Sequence, residues 1–365
     1  MPSHLSAEEA NSTDGHTFRP AASSVPIDRT ALQRYCAGIG LQIDQDHPIK
    51  QFATGLANIN YRLSINGQMV VLRRPPSGDL PPGSHDMARE HRILARLHEV
   101  HPFAPKSLHL CTDKTILGVP FQFLEYRPGI VIRGDDSAQL IGYPERCAQL
   151  SRDLVNTLAS LHAVDVREIG LGDLGRPTGF LKRTIEGWQS RVRRLSPTHS
   201  VAKLASEIAG WLSSRRFIER QPTLLHSDFK LDNVILDPLS LSPRAVIDWD
   251  MGTRGDPLFD LATFLSYWTQ SDDPPCLHRL AQMPTTVAGF PQRDTLVAMY
   301  ARLTGCDVSD YPQLRVLALL KLGVVLLQLD ALRQRRSQTA SCSARFDEMA
   351  EEILALAAQA IPATK

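Results

Sequence analysis

The stretch LLHSDFKLDNVILDPLSLSPRAVIDWDMG, residues 224–252, constrains this chain more than any other part of it. Two short apolar runs, 233–236 and 245–247, are joined by a turn carrying Pro238 and Pro243, and each run is bordered by carboxylates or an amide. A hairpin that tight gathers His226, Asp228, Asn233, Asp248 and Asp250 at its mouth. Asp, Asn and Ser are ordinary turn residues. The order His-x-Asp-x-x-x-x-Asn, strand, turn, strand, Ile-Asp-Trp-Asp is more specific than a turn requires. An aspartate placed this way can orient an attacking hydroxyl and accept its proton, while an Asn oxygen and a second Asp offer hard ligands to magnesium bridging nucleotide phosphates. Oxygen-only ligation favours magnesium over zinc.

Charge and length narrow the setting of that chemistry. The 365 residues carry 40 Lys plus Arg against 39 Asp plus Glu, a net charge of +1. No global basic field exists to concentrate a phosphate backbone, so nucleic acid is not an expected partner and any phosphate chemistry must be local. The 6 cysteines lie scattered without a CxxC pair, which suits reduced, small core residues of a cytoplasmic protein rather than a disulfide framework or zinc site. No apolar run is long enough for a membrane span. The longest, 316–329, is interrupted by Lys321 and Gln328 and reads as a buried helix.

Periodicity divides the chain into an α+β arrangement. Residues 1–26 read as a flexible tail without apolar periodicity. A helix over 27–39 ends at Gly40, and strand-like runs follow at 49–52, 61–65 and 69–72. Asn66-Gly67 between the last two is a hairpin signal. A helix carrying Met87, Ile93, Leu94 and Leu97 precedes strand-like segments at 115–119 and 121–125. Beyond Gly129 the pattern is helical at 147–161, 180–194, 201–211, 258–268, 294–303, 313–335 and 344–360, with the 224–250 island as its β-rich interruption. A small β-rich half followed by a larger helical half predicts two lobes.

The 224–252 segment resembles the catalytic and metal-binding loops of the aminoglycoside phosphotransferase and choline kinase superfamily, which has a protein-kinase-like fold. Protein kinases place His-Arg-Asp and Asp-Phe-Gly at the matching points; Trp249 and Asp250 depart from them. The resemblance spans about 49–268. It implies an N-lobe over 27–124, a hinge at 125–129 and a helical C-lobe over 130–365 that holds the loops at 224–250. The run from Gly55 through Asn58 to Arg62 resembles the turn that covers the nucleotide. Val70-Val-Leu-Arg-Arg resembles the strand whose basic residue reaches the phosphates, with Arg73 where protein kinases have lysine, and Glu90 matches the helix glutamate that pairs with it. Phe123-Leu-Glu-Tyr-Arg-Pro-Gly resembles the hinge, whose Glu125 and Arg127 main chain would meet adenine. Arg73, Arg74 and Arg89 are expected to gather near the phosphates.

The implied activity is ATP- and magnesium-dependent phosphorylation of a small-molecule hydroxyl. Asp228 is the expected catalytic residue, and Asn233 and Asp248 the expected metal ligands. His226 is expected to brace the loop, and Asp250 to stand behind the metal or touch it. Asp256 reads as a loop anchor and Asp260 as a helix cap that also stabilises the loop. Leu72-Arg-Arg-Pro-Pro-Ser-Gly, Ala88-Arg-Glu-His-Arg-Ile-Leu and the run from Thr178 to Trp188 resemble the phosphotransferase branch also found fused to acyl-CoA dehydrogenases, which is linked to hydroxylated acyl substrates. The late helix carries Arg315, Lys321, Arg333, Arg335 and Arg336 against Asp330. That excess suits a neutral or anionic acceptor such as a hydroxy acid or its CoA thioester, and equally suits a solvated face complementing the helix dipole. An aminoglycoside or choline-type kinase is the alternative acceptor class. A nucleotide-binding pseudokinase or regulatory module is the alternative of a different kind. Oligomeric state is left open.

Overall fold

The computed structural model describes residues 16–53, 58–78, 85–134, 136–195, 198–336 and 346–361. Along the chain come α1 (Arg29–Gly38), β1 (Lys50–Gln51), β2 (Ile59–Ile65), β3 (Gln68–Arg74), α2 (Met87–Leu97), β4 (Ser107–Cys111), α3 (Lys114–Leu117) and β5 (Phe121–Glu125). Next are α4 (Pro144–His162), α5 (Phe180–Leu195), α6 (His199–Ser213), β6 (Thr223–Leu225), β7 (Val234–Leu236), β8 (Pro243–Val246) and β9 (Thr253–Gly255). The chain closes with α7 (Pro257–Ser266), α8 (Pro275–Leu280), α9 (Arg293–Thr304), α10 (Tyr311–Arg336) and α11 (Phe346–Gln359). These elements form two compact units: Met1–Val131 with Val166–Gly172 and Asn233–Gly252, and Ile132–Asp165 with Asp173–Asp232 and Thr253–Lys365.

The first unit is built on a 5-stranded sheet of order β1-β2-β3-β5-β4, antiparallel throughout. Asn66 (φ 51°) and Gly67 (φ 78°) both take positive φ between paired Ile65 and Gln68, which makes the two-residue hairpin that the sequence announces. One sheet face buries Tyr61, Leu63, Leu72, Phe121 and Phe123 with Leu32 and Cys36 of α1. Asp28 starts α1 by accepting from Ala31 N–H at 2.9 Å, and Asp86 starts α2 by accepting from Arg89 N–H at 2.9 Å. The β7–β8 hairpin belongs to this unit and is tied to it by Val246 N–H donating to Phe103 O at 2.7 Å.

One strand expectation fails, and β4 and β9 go unannounced. Residues 114–117 form α3 instead of a strand, because the Asp113 side chain takes Thr115 N–H at 2.8 Å and Gly118 closes the turn at φ 79°. The outer strand is β4, whose register shifts between Ser107 and His109, so its side chains lack the clean alternation that marks a strand in sequence.

Gly129 shows a backbone demand that no other residue meets. Its φ is +156°, and a Cβ there would lie 2.4 Å from Leu236 O and 2.6 Å from Ile235 Cγ2. Ile130 and Leu236 exchange two main-chain hydrogen bonds at 2.9 and 2.8 Å beside it, so the chain cannot swing away. Gly129→Ala should lower unfolding stability by about 2 kcal/mol or more in chemical denaturation, through backbone strain plus the clash.

The second unit is helical apart from the β6–β9 pair. Here α10 packs against α5, α6, α7 and α11. Asp256, accepting from Leu258 N–H at 2.8 Å ahead of Pro257, is the cap of α7. Asp260 lies inside that helix, so the capping role expected of it belongs to Asp256. The described cysteines are unpaired; Cys36, Cys111, Cys147 and Cys276 are buried core residues, and Cys342 lies outside the described residues. No described helix is long and apolar enough to cross a membrane.

Candidate active site

Two polar centres hold Arg73, Glu90, Asp248 and Asp228, the first three in one unit and Asp228 in the other. In the first, strand alternation decides which arginine of β3 takes part. Successive side chains of a strand point to opposite faces. Arg73 Nε donates to Glu90 Oε2 at 2.7 Å, and its Nη2 reaches Asp248 Oδ1. Arg74 turns the other way, to Tyr61 OH and Pro26 O at 3.3 Å each, and lies 5.8 Å from the Tyr61 ring centroid. The expected gathering of Arg73, Arg74 and Arg89 therefore reduces to Arg73. Arg89 instead pairs with Asp86 at 3.2 Å and donates to Asp250 O at 3.2 Å.

Glu90 is fully buried and anchors the cluster. Its Oε2 also accepts from Gln122 Nε2 at 2.6 Å, and Oε1 accepts from Trp249 N–H at 3.0 Å. One carboxylate thus ties α2, β3, β5 and the Ile-Asp-Trp-Asp loop together. Burial works against the Arg73 charge, but Asp248, Glu90 and Asp250 outweigh it and hold the guanidinium ionised. Asp248 itself sits at φ 71°, a conformation that Asp and Asn tolerate better than most residues. Trp249 is buried and its indole N–H donates to Val246 O at 2.9 Å.

Asp250 takes part in a latch that the sequence did not reveal. Its Oδ2 accepts from Asn58 Nδ2 at 3.1 Å and from His85 N–H at 3.0 Å, while His85 Nδ1 donates to Asn58 Oδ1 at 2.8 Å. Burial first, then the neighbouring Asp248 carboxylate, push Asp250 up to about 7. Asn58 is thus engaged by Asp250 and His85; Gly55, its companion in the expected nucleotide-covering turn, lies outside the described residues. Asn233 is buried, and its main-chain carbonyl receives Ile247 N–H at 2.9 Å, which ties together the two segments expected to ligate the metal.

In the segment expected to be the hinge, Glu125 N–H donates to Lys106 O at 2.8 Å, and the Glu125 and Arg127 side chains pair at 2.8 Å. His16 Nε2 lies 3.2 Å from the Arg127 carbonyl, within a ring cluster of His16, Phe52 and Tyr126. A carbonyl has two lone pairs, so this contact leaves room for a second donor.

Magnesium can be tested against the donors present. Asn233, Asp248 and Asp250 offer oxygen only, the chemistry that magnesium prefers. Among the described residues no group of three or more His, Cys, Asp or Glu side chains could hold a metal by itself. A cation that takes one or two protein oxygens and fills its shell with phosphate and water needs no such group. The residues fit a magnesium ion that comes with a nucleotide.

In the second unit the centre is Asp228, just past β6. Lys230 Nζ donates to its Oδ2 at 2.7 Å and Tyr267 OH to its Oδ1 at 3.0 Å. Burial opposes its charge, but Lys230, Lys321 and His226 more than offset that and hold the carboxyl below its ordinary range. The loop beneath is fixed by Asp260: Oδ2 accepts from His226 N–H at 2.7 Å, and Oδ1 from Ser227 N–H at 2.8 Å. His162 Nε2, 3.2 Å from Asp260 Oδ2, and Tyr300 OH, 2.6 Å from His162 Nδ1, complete the support. His226 Nδ1 accepts from Asp228 N–H at 3.3 Å, the bracing expected of it.

Lys230, Tyr267 and Lys321 were not singled out by sequence as partners of the aspartate. Lys230 stands inside the motif. Tyr267 had no local signal, whereas Lys321 had one: a cation interrupting an apolar helix. It is buried and donates to Ser227 O, so it belongs to no solvated face.

A β3 arginine paired with an α2 glutamate in a unit built on an antiparallel sheet, and an aspartate on a His-x-Asp loop in a helical unit, fit the protein-kinase-like α+β two-lobe class. Residues 48–296 match the Phosphotransferase enzyme family, and the chain belongs to it. Acyl-CoA dehydrogenase family member 10 of Mus musculus is 30% identical over 344 residues, covering 92% of this chain but 31% of that protein. The chain therefore spans about a third of this relative. Among solved structures, a provisionally assigned aminoglycoside phosphotransferase from Ralstonia eutropha has a TM-score of 0.70 at 24% identity, covering 92% of this chain and 99% of that one. A thermostable mutant of aminoglycoside phosphotransferase APH(4)-Ia, in ternary complex with AMP-PNP and hygromycin B, has a TM-score of 0.59 at 14% identity over 92% of this chain and 100% of that one. These two likenesses establish the fold.

Proposed function

We propose that this chain is a small-molecule kinase that transfers the γ-phosphoryl group of ATP to a hydroxyl, with a hydroxy acid or hydroxyacyl-CoA as acceptor. The observation that carries the reading is Asp228: a carboxylate kept ionised and held by two donors, in a chain of the phosphotransferase family. An ionised carboxylate accepts protons and cannot donate one. Each carboxylate oxygen has more than one lone pair, so one that already accepts from a side chain can also accept from an incoming O–H. Phosphoryl transfer passes through a loose transition state, so Asp228 orients the hydroxyl and takes its proton late.

Arg73, held by Glu90, supplies a planar fork for phosphate oxygens. Asn233 and Asp248 would hold magnesium, which would supply neutralisation of phosphate charge. Asn58 would lie over the nucleotide, and the Glu125 and Arg127 main chain would meet adenine. A neighbour of the same fold bound to AMP-PNP supports ATP as donor. The acceptor class draws support from a relative named for acyl-CoA dehydrogenation, of which this chain matches one part.

The test is ATP consumption by the purified protein against hydroxy acids, hydroxyacyl-CoA thioesters, choline, sugars and aminoglycosides. Stimulation by the first two groups is the expected result. Stimulation by aminoglycosides or choline alone would replace the acceptor class. Nucleotide-induced thermal stabilisation with no turnover on any acceptor would replace the enzyme with a binding module.

A further inference from the structure

Lys321 is 4% exposed, midway along α10 among Leu319, Leu320, Leu322 and Val324. A buried cation is costly unless it has a partner, and a methionine would fill the same space without that cost. Its ammonium donates to the carbonyl of Ser227. Ser227 is itself unusual, a non-glycine residue at φ 68°. Asp260 of α7 takes the N–H of Ser227 and the N–H before it, at 2.8 and 2.7 Å. An anion from one helix and a cation from another thus grip successive peptides of the loop, and the peptide gripped by Lys321 leads directly into Asp228.

We propose that Lys321 is a positioning residue for phosphoryl transfer, locking the Ser227–Asp228 peptide from α10 and setting a fixed positive charge beside the Asp228 carboxylate. This rests on the reading of Asp228 as the residue that orients the acceptor hydroxyl. The charged groups facing Lys321 are Asp228 and Lys230 of the loop, Asp260 of α7 and Arg191 of α5. Burial pushes its ammonium down to about 8, with Asp228 and Asp260 opposing and Lys230 and Arg191 adding to the fall. The cation is therefore present at neutral pH and lost just above it. Lys321 in turn helps to keep Asp228 ionised.

The test uses the purified full chain with MgATP and the most active acceptor of the panel, or water as acceptor if none stimulates. Lys321→Met should lower kcat about 10- to 100-fold, as expected for a misplaced reacting group, with KM for MgATP changed less than about twofold. Wild-type kcat should fall above about pH 8 as the ammonium deprotonates. Lys321→Met should be flat through that range, and Lys321→Arg should carry the fall to higher pH because arginine stays charged. Wild-type kcat in Lys321→Met overturns the proposal, as does a fall near pH 8 that survives in it. If Lys321→Met does not fold, a fall unmoved in Lys321→Arg overturns it. Asp228→Asn measured alongside separates the readings: wild-type turnover there removes the role of Asp228, whereas a dead Asp228→Asn beside a fully active Lys321→Met removes Lys321 alone.

Discussion

Asp228→Asn should consume MgATP about two to four orders of magnitude more slowly than wild type while keeping its melting temperature within a few degrees. The substitution preserves shape, removes the charge and turns one of the two acceptor oxygens into an NH2 group. The loop that carries residue 228 is fixed through main-chain groups, by Asp260 on the N–H groups of His226 and Ser227 and by Lys321 on the Ser227 carbonyl, so none of those bonds is touched. An amide oxygen can still accept from Lys230 or Tyr267, and what disappears is a proton acceptor next to the hydroxyl. Nucleotide binding should survive, because Arg73, Glu90 and Asp248 form their own cluster in the other unit. Turnover at the wild-type rate would remove Asp228 from the mechanism.

The contrast between Arg73 and Lys321 shows what could be read from this sequence. Arg73 and Glu90 were legible through the resemblance of Val70-Val-Leu-Arg-Arg and Arg89-Glu90 to the family's phosphate-binding strand and its paired helix. The Asn-Gly hairpin placed β3, but Arg74 was expected beside the phosphates as well, and the observed alternation of β3 is what separates the two. The partners of Asp228 come from positions 230, 267 and 321, and only tertiary packing of α7 and α10 brings the last two to it. The Asn58–Asp250–His85 latch joins residues as much as 192 positions apart, and periodicity holds no record of such a pairing. Within the fold, the longer helices were legible from their apolar stripes, whereas the six-residue α8 was not. The 114–117 segment was not, because Ile116 and Leu117 are apolar whether they belong to a strand or to a single helical turn. The side-chain cap of Asp113 decides between them, and a cap is a geometric event that composition does not encode.

Asp248→Asn is expected to be equally inactive by a different route, and the two variants can be told apart without an acceptor. Residue 248 sits at φ 71°, where alanine would add strain of about 1 kcal/mol or more, whereas asparagine is at home there and isolates the charge. Loss of that charge removes one of two direct anionic partners from the buried guanidinium of Arg73, leaving Glu90 as its ion pair. It also takes away a proposed magnesium oxygen, so MgATP should bind more weakly as well as react more slowly. A ligand present at 100 times its Kd stabilises a protein by about 2.7 kcal/mol, so the thermal shift with MgATP is a direct readout. Wild type and Asp228→Asn should both show that shift, and Asp248→Asn should lose most of it. A full shift in Asp248→Asn would mean that the Asp248 carboxylate does not hold the metal-nucleotide, and would leave Asp250, which is buried beside it and pushed up to about 7 by burial and by Asp248, as the carboxylate to test next.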